Sequence, residues 1–69
     1  MNNRTIETLM DLRDERIRLG YQVAALEDKA FWEPEDFTKD DEYWLRYYRA
    51  EIARIKAVET ELRSRMKGV

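Results

Sequence analysis

Residues 45–69 read LRYYRAEIARIKAVETELRSRMKGV, and the spacing of their apolar side chains decides the fold. Leu45, Tyr48, Ile52, Ile55, Leu62, Met66 and Val69 recur at alternating steps of three and four, with one interruption at Glu59. That spacing is the seam of a helix packed lengthwise against another helix. A matching seam runs through Leu9, Leu12, Leu19, Val23, Leu26 and Ala30, interrupted once by Arg16. Two such seams, each broken near its middle by a charge of opposite sign, predict an all-α fold: an antiparallel, coiled-coil-like two-helix hairpin. Residues 1–69 then form one domain. Helix one spans about 3–30, an aromatic and acidic connection about 31–40, and helix two about 41–67.

Composition agrees. The chain is 41% charged and 43% hydrophobic with two Gly and one Pro, too apolar and too periodic for a disordered segment. It holds neither Cys nor His, which removes disulfides, thiolate and imidazole metal ligands and His-based catalysis. No stretch has the length and apolarity of a membrane span or a signal h-region, so a cytoplasmic location is expected. The formal net charge of −2 is uneven. Residues 1–26 are neutral, residues 27–42 carry −6 and residues 43–69 carry +4. Acids at the start of helix two and bases toward its end match the helix dipole. The functional reading is an acidic tip that meets a basic partner.

Local signals set the boundaries. Asn2 or Asn3 suits the first N-cap, and Pro34 stops helix one. Thr38 or Asp40 can cap helix two, Thr38 with Asp41 forming a near-capping box. Gly68 marks the C-terminal stop. Phe31, Trp32 and Phe37 are too apolar for a solvated loop. At least two of them are expected to fold over the open end of the hairpin, with Phe31 and one of Trp32 or Phe37 in the core beside Tyr48. Steps of about 100° per residue put Arg4, Glu7, Asp11, Asp14, Arg18 and Lys29 on a solvated face of helix one. Ala50, Ala53, Ala57, Thr60 and Ser64 form a small-residue line on helix two, facing away from its seam.

Helix one carries a second apolar stripe, Ile6, Met10, Ile17, Tyr21 and Ala24, which a lone hairpin leaves in water. Burying Ile6, Met10 and Ile17 is worth about 1.5–3 kcal/mol each, and a small domain without disulfides or metals has few other means of stabilisation. The stripe is therefore expected to form a homodimer interface, two hairpins closing into a four-helix bundle. In an antiparallel hairpin turning near residues 35–39, Arg16 and Glu59 fall level or within half a heptad. They are expected to form an ion pair that sets register.

No catalytic residue is apparent. Ser64 lacks a neighbouring base, and no carboxylate pair sits in an apolar pocket that would tune it. Asp36, Thr38, Asp40 and Glu42 echo the start of a calcium loop, but Asp41 stands where Gly is required and Tyr47 where the closing Glu belongs. No metal and no cofactor are expected.

The eight aromatics all fall between Tyr21 and Tyr48. Tyr43, Trp44 and Tyr47, beside Arg46 and near Asp36 and Asp40, have the residue types that dominate binding energy at protein interfaces. The expected function is that of a small non-enzymatic module that binds a protein partner and inhibits or adapts it. Accessory factors of phages and mobile elements are often chains of this size. Two alternatives stand beside it. Arg49, Lys56, Arg63 and Lys67 make a basic stripe that nucleic acid could use, although a pI near 5.1 is not the footprint of a nucleic-acid binder. The second is a structural subunit of a larger helical assembly.

Overall fold

The structure, a computed structural model, describes residues 3–67, with the side chain of Lys67 left aside. It is all-helical. Helix α1 runs Asn3–Trp32, a 3-10 turn η1 spans Pro34–Asp36, and α2 runs Lys39–Lys67. The two long helices pack against each other as a hairpin, giving a rod of 53 × 15 × 14 Å. The expected cap at Asn2, the stop at Gly68 and the last seam position, Val69, lie outside the described residues. Asn3 is already helical.

The connection is shorter than the sequence suggests, because both helices advance into it. Helix α1 continues through Phe31 and Trp32, and the Glu33 amide still donates to the Lys29 carbonyl at 2.8 Å. Pro34, which lacks an N–H, then opens η1 at a position where no donor is needed. Helix α2 starts through a reciprocal cap. The Asp41 amide donates to Thr38 Oγ1 and the Thr38 amide donates to Asp41 Oδ2, both at 3.1 Å. This is a capping box with Asp in place of the longer Glu.

Both seams face inward. On α2, Leu45 and Ile55 are buried, and Tyr48, Ile52, Leu62 and Met66 are partly covered. On α1, Leu9, Leu12, Leu19, Val23, Leu26 and Ala30 are all partly covered. The small-residue line Ala50, Ala53, Ala57, Thr60 and Ser64 is exposed. It follows high helix propensity on an outer face.

Two expectations need correction. Phe31 and Trp32 do not close the end of the hairpin; they stand 73% and 74% exposed, edge to face at 4.7 Å. Because α1 carries on past Ala30, Ala30 takes the seam place and helical geometry turns the next two side chains outward. Only Phe37, beyond the 3-10 turn, is half-buried. Lys29 is likewise not on a freely solvated face. Its Nζ lies 2.8 Å from Asp41 Oδ2, across the hairpin beside the turn.

That contact ties the turn to pH. The hydrogen bond from Lys29, followed by the Thr38 amide, holds the Asp41 carboxyl below its ordinary value of 3.8. The same hydrogen bond raises Lys29 above 10.5. A carboxyl with a lowered pKa contributes stability that is full above its unfolded value and is lost as pH falls through the folded one. An amine with a raised pKa contributes stability that is full below its unfolded value and is lost as pH rises through the folded one. The clamp is therefore complete between these two limits. NMR shifts of residues 38–42 should stay constant across that range and move toward coil values below it, before the shifts of Ile52 and Ile55 change.

Candidate protein-binding surface

Helical spacing assembles the aromatic patch. Tyr43 and Tyr47, and Trp44 and Tyr48, are each four residues apart, so each pair shares one face of α2. Tyr43 and Tyr47 lie nearly parallel with centroids 6.5 Å apart. Trp44 meets Tyr43 at 5.3 Å and Tyr47 at 5.6 Å, both edge to face. Tyr48 lies 5.8 Å from both Trp44 and Tyr47. Tyr43, Trp44 and Tyr47 are exposed while Tyr48 is half-buried in the seam. By sequence Tyr48 belongs to the core and the other three to a surface. The structure joins all four rings, so the outer rings rest on one that is fixed by the hairpin.

Of the charged residues expected beside this patch, Arg46 is paired within α2. Arg46 Nη2 turns back to Glu42 Oε1 at 3.1 Å, one turn earlier on the same helix. Asp36, in η1, and Asp40, in the first turn of α2, are exposed. Among the described residues no group of acids is placed to hold a metal ion.

Arg16 and Glu59 meet across the hairpin. Arg16 Nε donates to Glu59 Oε1 at 2.7 Å, and Arg16 Nη2 reaches Oε2 at 3.4 Å. The Glu59 side chain is 3% exposed and that of Arg16 30%. Arg63 Nη2 adds a contact to Oε2 at 3.4 Å from the solvent side. Among the described residues no buried side-chain polar atom lacks a partner. A forked guanidinium–carboxylate contact in an apolar seam favours one alignment, since any slide leaves a charge buried alone.

The basic row of α2 is partly spent within the chain. Arg49 Nη2 pairs with Glu27 Oε2 at 2.7 Å, and Arg63 reaches Glu59. Among the described residues Lys56 has no such partner and, with Arg16, Glu59, Thr60 and Arg63, lines a shallow open groove. The side chain of Lys67 lies outside the described residues.

The second stripe of α1 remains open to solvent. Met10, Ile17 and Tyr21 are 60%, 42% and 72% exposed, Ala24 is exposed and Ile6 is partly covered. A Cβ built on Gly20 would meet nothing within 4 Å. Phe31 extends the stripe, because Met10, Ile17, Ala24 and Phe31 are each seven residues apart. With Phe31 expected in the core, this continuation is not apparent from sequence; the heptad spacing is the signal that carries it.

No described helix is long and apolar enough to cross a membrane. Comparison of the chain with protein-family models, with curated proteins and with solved structures gave no significant match. The class is therefore defined by fold and surface alone: an all-α hairpin with one aromatic patch on α2 and one apolar stripe on α1.

Proposed function

We propose that this chain is a non-enzymatic interaction module that acts as a dimer of hairpins and binds a protein partner through Tyr43, Trp44 and Tyr47. The observation that carries the partner site is the four-ring cluster. Exposed tyrosine and tryptophan, in mutual ring contact and anchored by a seam residue, offer large contact area at little cost in side-chain entropy. Replacing Tyr43 and Tyr47 together with Ala should change stability by less than about 1 kcal/mol, as for surface sites. It should also abolish salt-resistant capture of the partner from the native cell. Unfolding of the double variant would place these tyrosines in the core and remove the site.

Surface area supports the dimer. The chain exposes 5769 Å², against about 4,600 Å² for a compact monomer of this mass. The excess, about 1,200 Å², exceeds the ~800 Å² that each partner buries in a standard interface. Its radius of gyration is 15.7 Å, where a compact chain of this length would have about 11 Å. Light scattering at micromolar concentration should give twice the 8.4 kDa chain mass.

The nucleic-acid reading on Arg49, Lys56, Arg63 and Lys67 is weaker. Two of these residues already neutralise Glu27 and Glu59, and a cation so engaged has less to gain from a phosphate. A mobility shift with RNA or DNA that weakens steeply with salt would favour it over the protein-binding reading.

A further inference from the structure

We infer that the occupant of the α1 stripe is α1 of a second copy, running antiparallel, with Arg13 of each chain meeting Glu27 of the other. This rests on the dimer proposed above and specifies its geometry. Ile6, Met10, Arg13, Ile17, Gly20, Ala24, Glu27 and Phe31 step by four and three without a break. They form a second seam on α1, displaced to one side of the first.

The Glu27–Arg49 ion pair places that side of α1 on the same face of the hairpin as the flank of α2 bearing Arg49, Lys56 and Arg63. A closed two-fold dimer brings like faces together, so the seam can meet either α1 or α2 of its partner. The α2 flank is basic and offers no apolar line, whereas α1 offers the seam itself. Docking the seam on the opposite face of a neighbour, where the rings of Trp44 and Tyr47 lie, would be head-to-tail and would not close.

Charge then sets direction. Parallel pairing would set Arg13 against Arg13 and Glu27 against Glu27. Antiparallel pairing about an axis between Ile17 and Gly20 relates large to small and sets Arg13 level with Ala24, one layer (~4.5 Å of rise) from the other chain's Glu27 and within reach of it through the long Arg side chain. Ile17 lies over the open space at Gly20, and Phe31 lies level with Ile6. Among the described residues Arg13 has no ion pair within its own chain, and Glu27, 51% exposed, engages Arg49 through Oε2.

The chain has no Cys, so Glu7→Cys on the exposed face of α1 takes a single nitroxide label. In the antiparallel register the two labels lie about 35 Å apart along the axis, and a spin–spin distance of that order is expected. Slips of one heptad would give about 24 or 45 Å and would overturn the register. Parallel helices would bring the labels within about 20 Å and overturn the orientation, leaving the dimer itself intact. A monomer by light scattering at every concentration would instead overturn the dimer, and this inference with it. In a second arm, Arg13→Glu should raise the dimer dissociation constant at least tenfold, because like charges then stand in adjacent layers of the interface. The helicity of the hairpin should not change. Unchanged affinity would overturn the Arg13–Glu27 contact, since parallel pairing merely exchanges one like-charged pair for another.

Discussion

Replacing Arg16 with Leu is expected to destabilise the hairpin by about 3 kcal/mol, the lower end of the range for breaking a buried ion pair. The substitution leaves the Glu59 carboxylate, 3% exposed, with only the 3.4 Å contact from Arg63. The reverse change, Glu59→Leu, should cost less. The Arg16 side chain is already 30% exposed, and its long stem can carry the guanidinium out to water while the methylenes stay packed. The double Leu variant makes both seams apolar at this layer and should recover most of the loss, since a pair of hydrophobic residues can replace a buried ion pair without penalty. Recovery should come with reduced specificity: a uniform seam no longer penalises a slide, and extra assemblies should appear in sedimentation. Urea titrations of the four proteins give the double-mutant cycle. A coupling energy near zero would mean that the two charges do not sense each other.

Ile55→Ala should be the most damaging apolar truncation, at about 2–5 kcal/mol. Ile55 is the only described side chain that is fully buried, at 1% exposure, and in the register set by Arg16 and Glu59 it lies level with Leu19. With Leu45 as the only other buried apolar residue among those described, the hairpin has almost no core to redistribute into the cavity. A loss of that size approaches the whole stability of so small a domain. Circular dichroism should therefore show loss of cooperative melting, and not only a lower midpoint. Because the proposed dimer couples association to folding, raising the protein concentration should partly restore helicity. Ile17→Ala, on the exposed stripe, should spare the intrachain seam. A cooperative Ile55→Ala variant with a melting temperature near that of the parent would show that the inward seam contributes little.

The local code of this chain is legible without its tertiary structure. Two stripes at three- and four-residue steps state a hairpin, because an apolar line along a helix must find another. Thr38 and Asp41, three residues apart, state the start of α2, since each can reach only the other's amide at that spacing. The level meeting of Arg16 and Glu59 follows from the same periodicity, because the two interruptions are nearly equidistant from the turn.

The ends of the helices and the fate of the aromatics are decided elsewhere. Whether α1 stops at Ala30 or at Trp32 depends on whether helical hydrogen bonding or burial of Phe31 and Trp32 stabilises more. Helical hydrogen bonding continues as far as the Glu33 amide, and both rings point outward. By its angle on α1 Lys29 belongs to solvent. It is drawn to Asp41 because the turn brings the start of α2 within reach of its long side chain. Tyr48 likewise reads as core by register, and only the ring distances join it to Trp44 and Tyr47. Periodicity reports the face of a helix on which a side chain stands. What stands opposite is set by how tightly the chain turns, and that depends on contacts between residues far apart in sequence.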